Sequence, residues 1–143
     1  MNKPYLTSIE IINLNDGDVL HALKAHEESF KKFGEAYFSV VRRGKIKAWK
    51  MHQKMTLNII VPVGEIRFVL FEDCENFTSQ IDFQEFYLSR SNYNRLTVPP
   101  NYWMGFQCIS NEDAMLLNIA DIEHDSNEVL KKDLQEISYD WQT

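Results

Sequence analysis

The chain has 143 residues, of which 44% are hydrophobic and 13% aromatic, a composition typical of one globular domain over residues 1–143. Its net charge of −6 argues against nucleic acid or an anionic membrane as the main partner, because both require a basic surface. Cys74 and Cys108 are too few and too far apart for a disulfide framework or a zinc site. No apolar run is leader-like or long enough to span a membrane, so we expect a cytoplasmic protein with reduced thiols.

The N-terminal part combines a strand signal with an ambiguous segment. Residues 9–12 predict a short strand that ends at a turn over residues 15–18. Apolar residues then recur at loose helical spacing, which favours a helix over residues 18–32 with Asp18 as its N-cap. Gly34 would end that helix.

From residue 36 onward the sequence changes to short β-strands separated by turn residues. The predicted strands are 36–41, 46–51, 57–61, 66–71, 84–88, 95–98, 105–109 and 115–120. No segment between them is long and periodic enough for a crossover helix, so an antiparallel sandwich or barrel is expected. Asp125 and Glu128 have the spacing of a capping box, which predicts a final helix over residues 126–136.

The segment from Gly44 to Gly64 carries the most reactive pair of side chains in the sequence. Lys50 and His52 lie two apart on a predicted strand, so both point to the same face. Residues 42–54 also hold a cluster of basic side chains, which suits a small anionic ligand in an acidic protein. A solvated strand edge protected by lysines explains that cluster equally well.

Two parts of the sequence resemble the motifs of the cupin family. The glycines at 44 and 64, with Lys50-Met51-His52 between them, have the spacing of the first cupin motif, and residues 99–104 resemble the second. The resemblance places the family's metal ligands at Lys50, His52, Leu57 and Met104. Of these only His52 is a good ligand for a transition metal, so we expect no metal and no other cofactor.

Within the cupins, the chain resembles the dTDP-4-dehydrorhamnose 3,5-epimerase family. Residues 44–52 are similar to that family's Gly-Val-x-Arg-Gly-x-His-x-Gln motif. Further similarity lies in residues 63–66, 96–106, 117–125 and 139–141. The match is closer to a short branch found among polysaccharide-biosynthesis proteins. It implies an all-β cupin jelly-roll barrel with a short C-terminal helix, which forms a homodimer and acts as an isomerase on a 4-keto-6-deoxy nucleotide sugar.

The resemblance also implies where the family's catalytic residues fall in this chain. The position of the catalytic histidine is Lys50, and that of the phosphate-binding arginine is Lys47. The active-site lysine falls on Leu57, the acid tyrosine near residues 122–123, and a loop histidine on Met104. The carboxylate that orients the base has no clear counterpart.

Removing a proton next to a ketone requires a base, an acid and stabilisation of the enolate oxygen. We predict that Lys50 and His52 are catalytic, with Lys50 as the base and His52 as the acid or the group that polarises the ketone. The residues predicted to bind the substrate are Lys47, Arg42, Lys54, Tyr37, Tyr102, Trp103 and Met104. Alternatively, Lys50 is a structural barrel lysine that reaches water and His52 is a hydrogen-bonded core residue. For His124 a structural or capping role is favoured.

Three classes of function are therefore consistent with the sequence. The first is an epimerase or isomerase with a rebuilt acid and base, acting on a small-molecule nucleotide sugar. The second is a non-catalytic cupin that binds a sugar nucleotide, and the third is a scaffolding protein that supports another enzyme. None of the three involves nucleic acid or a membrane.

Overall fold

The computed structural model describes residues 2–75 and 80–142, and this part of the chain is almost entirely β. Its strands are β1 Tyr5–Ser8, β2 Ile11–Ile12, β3 Val19–Leu20, β4 Glu35–Val41, β5 Ile46–His52, β6 Leu57–Val63, β7 Glu65–Glu72, β8 Gln84–Ser89, β9 Asn94–Val98, β10 Tyr102–Cys108, β11 Ala114–Ala120 and β12 Val129–Lys131. A 3-10 turn over Leu134–Glu136 follows. In the described residues no helix has the length and apolar character needed to cross a membrane.

The strands form two five-stranded antiparallel sheets that face each other as a cupin-like jelly roll. The first sheet has the order β1-β9-β6-β11-β4 and the second the order β12-β5-β10-β7-β8. A small ribbon of β2 and β3 lies outside them. The predicted all-β jelly roll is confirmed. The predicted strands between residues 36 and 120 are found with shifted ends, and β10 begins three residues earlier than expected.

Alternation along the strands divides the apolar residues between two cores. On β7, Ile66, Phe68 and Leu70 belong to the cluster between the sheets, whereas Val69 and Phe71 belong to a second cluster. Because both faces of β7 are buried, residues 68–71 form a continuous apolar run. Full burial of each large side chain contributes about 1.5–3 kcal/mol to folding.

The second core lies on the outer face of the second sheet, beneath the C-terminal segment. Trp49 of β5 is 1% exposed, and its ring centroid is 5.5 Å from that of Trp141 and 5.4 Å from that of Phe71. This packing covers the outer face of β5. The opposite face of β5 is therefore left to the space between the sheets.

The helix predicted over residues 18–32 is wrong. Only Val19–Leu20 has regular structure there, as β3, and the rest of the segment forms turns. Arg95 of β9, which is 1% exposed, holds this segment by donating to the Ala22 carbonyl at 2.7 Å, to Glu27 at 3.0 Å and to Ser29 at 2.9 Å. The hydrogen bonds of this one buried arginine therefore hold the segment in a non-helical conformation, although its apolar residues have a weak helical spacing.

The helix predicted over residues 126–136 is also wrong. Residues Val129–Lys131 instead form β12, which pairs with β5, and only the 3-10 turn follows. The capping box in this region is formed by Asp133 and Glu136 rather than by Asp125 and Glu128. Glu128 is 2% exposed and has a different partner, described below.

Candidate active site

A cavity of about 790 Å³ lies between the two sheets where β4 faces β5. This volume falls in the range of sites for small molecules. Its apolar residues are Ala48, Trp49, Met55, Leu57, Ile59, Val98, Pro99, Tyr102, Met104, Phe106, Leu116 and Val129. Its polar and charged residues are Glu35, Tyr37, Ser39, Lys47, Lys50, His52, Asn118, His124, Lys131, Lys132 and Asp133. An apolar surface with basic groups suits a ligand that has both a ring and an anionic part.

A bulge in β5 brings three of its polar side chains to the cavity. On a regular strand Lys47 and Lys50 would point to opposite faces. The pairing of β5 with β10 shifts by one residue, however, so that two residues of β5 lie opposite Gly105. A Cβ atom on Gly105 would lie 2.7 Å from the Cβ of Ala48, so only glycine leaves room for the bulge. As a result Lys47, Lys50 and His52 all line the cavity.

His52 is held by a buried carboxylate. Its Nδ1–H donates to Oε2 of Glu128 at 2.5 Å. The other oxygen of Glu128 accepts the backbone N–H groups of Lys54 at 2.9 Å and Met55 at 3.0 Å. Burial alone would raise the pKa of Glu128, but the hydrogen bonds from His52 and from the two backbone groups outweigh it and lower the pKa. An ionised Glu128 fixes the proton on Nδ1 and leaves Nε2 as the basic nitrogen of the ring.

Lys50 lies beside two other lysines at the cavity. Lys131 is its direct partner in the antiparallel pair of β12 and β5, so their Cβ atoms are about 5 Å apart on one face. Burial, and then the charges of Lys131 and Lys47, lower the pKa of Lys50. Like charges placed directly opposite one another are unfavourable unless an anion lies between them. This cluster is therefore suited to phosphate groups.

The first sheet supplies the opposite wall. Lys47 links the two walls because its Nζ donates to Ser39 Oγ at 3.0 Å and to the Val40 carbonyl at 2.9 Å, both on β4. Two residues before Ser39, Tyr37 lines the cavity. Its hydroxyl accepts a hydrogen bond from Asn118 Nδ2 of β11 at 3.2 Å.

The cavity brings together most of the predicted site residues. Those that line it are Lys47, Lys50, His52, Tyr37, Tyr102 and Met104. Arg42 and Lys54 are exposed in the turns at either end of β5 and do not line it. Trp103 alternates with Met104 along β10, so it points into the outer core, where its Nε1 donates to Asp73 at 2.9 Å. We leave these three residues out of the proposed site.

Several cavity residues were not predicted from the sequence. His124, for which the sequence favours a structural role, lines the cavity, as does Lys131, which lies in a strand of three residues that is too short to recognise. Glu128, which the sequence suggests as a helix cap, does not line the cavity but contacts His52, which does. Glu128 and His52 are 76 residues apart, so no local spacing links them. The contact between His52 and a buried carboxylate is therefore visible only in the folded chain.

The donor set does not fit a cupin metal. Among the four positions that the resemblance assigns to metal ligands, Lys50, Leu57 and Met104 offer no strong donor, and Nδ1 of His52 is engaged by Glu128. In residues 2–75 and 80–142 no three His, Cys, Asp or Glu side chains are grouped so that they could hold a metal ion.

Comparison with known proteins gives the following similarities. No family model matches the chain. A dTDP sugar isomerase of Desulfovibrio desulfuricans G20 is 35% identical, with a TM-score of 0.88 over 96% of this chain and 90% of that one. The probable low-salt glycan biosynthesis epimerase Agl13 of Haloferax volcanii is 27% identical over 111 residues, which are 74% of this chain and 71% of that protein. The epimerase RmlC of Legionella pneumophila, solved with dTDP-4-keto-L-rhamnose, shares the fold at 15% identity and a TM-score of 0.80, over 99% of this chain and 80% of that one.

The fold and the site together define a cupin-like scaffold of the sugar-isomerase class. The 35% identity with the dTDP sugar isomerase of Desulfovibrio desulfuricans, across most of both chains, is high enough to assign the family. The chain belongs to the family of RmlC-like sugar isomerases, which includes the dTDP-4-dehydrorhamnose 3,5-epimerases. The family suggested by residues 44–52 is thereby confirmed.

Proposed function

We propose that the protein is an isomerase or epimerase that acts on a 4-keto-6-deoxy nucleotide sugar by removing and returning a proton next to the ketone. The observation that carries this proposal is the His52–Glu128 pair beside Lys50 in a cavity with a basic rim. The site thus combines His52 as a base, the Glu128 carboxylate that can stabilise the protonated base, and the Lys50 ammonium that can stabilise an oxyanion. Relatives described as a dTDP sugar isomerase and a probable glycan biosynthesis epimerase agree with this chemistry.

In the proposed reaction Nε2 of His52 takes the proton from the carbon next to the ketone. The electrons of the broken C–H bond form the enolate, whose oxygen carries the negative charge. The Lys50 ammonium stabilises that oxygen, and Glu128 stabilises the imidazolium that forms. Return of a proton to carbon restores the ketone. This division of roles is the reverse of the one expected from the sequence, because a buried carboxylate favours His52 as the base.

The substrate would lie across the cavity with its charged end at the lysines. Lys47 and Lys131 are the groups proposed to bind the diphosphate, as point charges rather than as a bidentate fork. Tyr102 and Met104 offer apolar surface for the sugar ring and its 6-deoxy carbon. The sugar complex described for the Legionella relative supports a ligand of this class.

The experiment uses a panel of dTDP-, UDP- and GDP-linked 4-keto-6-deoxy sugars. Thermal shift reports binding, and NMR in D₂O reports exchange of the proton next to the ketone. The proposal expects both a shift and exchange for at least one nucleotide. Binding without exchange would contradict catalysis and favour the non-catalytic sugar-nucleotide cupin. No thermal shift with any sugar would favour the scaffolding protein.

We also infer from the family membership that the protein is a cytoplasmic homodimer in a polysaccharide or lipopolysaccharide pathway. The outer face of β4 offers apolar surface, since Phe38 is 64% and Val40 49% exposed. Cys108 is a buried free thiol, as expected in a reducing compartment. Light scattering on the purified protein at micromolar concentration should give the mass of two chains, and a mass of one chain would contradict the dimer.

A further inference from the structure

Asn118 is a polar residue on the otherwise apolar inward face of β11. The other inward-facing residues of that strand, Ala114, Leu116 and Ala120, belong to the core between the sheets. Asn118 itself is 1% exposed and lines the cavity, on the wall opposite His52. A buried amide among apolar side chains is unfavourable unless both of its ends are hydrogen-bonded, so we ask where its two ends find partners.

One end of the Asn118 amide is bonded and the other is not. Its Nδ2 donates to the Tyr37 hydroxyl on the neighbouring strand at 3.2 Å. Its Oδ1 is buried and has no hydrogen-bond partner among residues 2–75 and 80–142. Because the contact with Tyr37 occupies the donor end, the end that remains is the acceptor.

A second buried asparagine, Asn58, shows the pattern of a structural amide in the same sheet. It lies on β6 next to β11 and is 4% exposed. Its Nδ2 donates to the Ser29 carbonyl at 3.0 Å, and its Oδ1 accepts the Thr97 hydroxyl at 2.7 Å. Both of its ends are satisfied, and it does not line the cavity. The unfilled acceptor of Asn118, on the cavity wall, therefore indicates a donor that arrives with the ligand.

The position of Asn118 along the cavity favours the sugar as the source of that donor. Asn118 pairs directly with Tyr37, and Ser39 lies two residues further along β4, about 7 Å away. Ser39 contacts Lys47, one of the lysines proposed to bind the diphosphate. In the substrate, the ionised diphosphate, the ketone and the ring oxygen only accept hydrogen bonds. The donors near Asn118 are thus the hydroxyl groups on the sugar ring.

We propose that Asn118 is a specificity-determining residue, whose Oδ1 accepts a hydrogen bond from a ring hydroxyl of the sugar. The inference rests on the proposed function and narrows its substrate class to sugars that keep a hydroxyl group on the ring carbon facing β11. A sugar without that hydroxyl leaves the acceptor buried and unpaired and is therefore a poorer substrate. An aliphatic residue at position 118 removes this distinction.

The experiment compares wild type with Asn118→Leu, Asn118→Ala and Asn111→Leu. Leucine keeps the volume of the amide, alanine removes the acceptor without a risk of overpacking, and Asn111 is an exposed control in the turn between β10 and β11. The substrates are dTDP-4-keto-6-deoxyglucose and its 2-deoxy-2-fluoro and 3-deoxy-3-fluoro analogues. Fluorine is close to a hydroxyl group in size but cannot donate a hydrogen bond. NMR in D₂O gives kcat/KM for exchange of the proton next to the ketone.

The measured quantity is the preference for the parent sugar over each analogue, compared between proteins. The inductive effect of fluorine on the reacting carbon is the same in every protein and cancels in this comparison. For one of the two analogues, both Asn118 variants should reduce the wild-type preference by about 10-fold, since a buried acceptor left without its donor costs roughly that factor. Asn111→Leu should keep the wild-type preference. Asn118→Leu should melt no lower than wild type, because it removes a buried acceptor without a partner.

An unchanged preference in the Asn118 variants, for both analogues, would overturn the role of Asn118 while leaving the proposed function in place. If that result came with a lower melting temperature of Asn118→Leu, the amide would be structural. Failure of wild type to exchange any proton of the parent sugar would instead overturn the proposed function, and the role of Asn118 with it. Exchange of the parent sugar by wild type thus distinguishes the two failures.

Discussion

Replacing Glu128 with glutamine should separate the structural from the catalytic role of its carboxylate. Glutamine keeps the shape, and its Oε1 can still accept the N–H groups of Lys54 and Met55, now at 2.9 and 3.0 Å. Its amide nitrogen, however, would meet Nδ1 of His52, which Glu128 contacts at 2.5 Å. The amide must donate there, so the ring proton moves to Nε2 and the base is blocked.

The expected losses of stability and of rate follow from the hydrogen bond and the general base that the substitution removes. Loss of a hydrogen bond to a charged group costs about 1.5–3 kcal/mol of stability. For a chain of 143 residues this lowers the melting temperature by roughly 5–10 °C. A general base contributes about 10²–10⁴ to the rate, and we expect Glu128→Gln to lose a factor in that range, or roughly 3–5 kcal/mol of transition-state stabilisation.

The assay is the rate of deuterium exchange, measured at a temperature where thermal melts show the variant to be folded. Asp125→Asn is the matched control, because it makes the same chemical change at an exposed carboxylate whose contact, with the Asn127 N–H at 2.9 Å, an amide oxygen can keep. That control should behave as wild type. If folded Glu128→Gln exchanges as fast as wild type, the carboxylate does not set the proton on His52 and the mechanism is refuted.

Three further predictions concern the other parts of the site. Lys50→Met should leave the fold intact but slow exchange by about 10²–10³, the effect of losing one oxyanion-stabilising group, and equal rates would contradict that role. Burial, and then the charges of Lys131 and Lys47, lower the pKa of Lys50, so activity that needs its ammonium should fall at a lower pH than an ordinary lysine would give. Lys131→Gln removes one of these charges and should move the loss of activity to higher pH; an unmoved profile would count against Lys50 as the titrating group. Gly105→Ala should destabilise the fold by about 1–3 kcal/mol in chemical denaturation and weaken substrate binding, since its Cβ would collide with Ala48 and displace the β5 bulge.

The sequence was most informative where local chemistry decides the structure. Gly44 and Gly64 adopt φ values of +74° and +76°, which only glycine takes readily, and they lie in the connections between β4 and β5 and between β6 and β7. The strands between them alternate or run apolar in the way that buried antiparallel strands do. Lys50 and His52 share a face because both lie on the C-terminal side of the bulge.

The failures arise where distant residues decide the structure. The Asp125–Glu128 spacing fits a capping box, yet Glu128 is held by His52, a partner that only the folded chain brings near. Lys47 and Lys50 share the cavity only because Gly105 on another strand admits a bulge between them. Residues 18–32 lost their predicted helix to bonds from Arg95, about seventy positions away. Periodicity cannot show such contacts.

The most direct test of the central claim is deuterium exchange by His52→Asn. Asparagine can still donate to Glu128, so the buried carboxylate keeps a partner while the base is removed. With dTDP-4-keto-6-deoxyglucose in D₂O, wild type should exchange the proton next to the ketone, and folded His52→Asn should bind the sugar but exchange it at least about 100-fold more slowly. Exchange by His52→Asn at the wild-type rate would contradict the account.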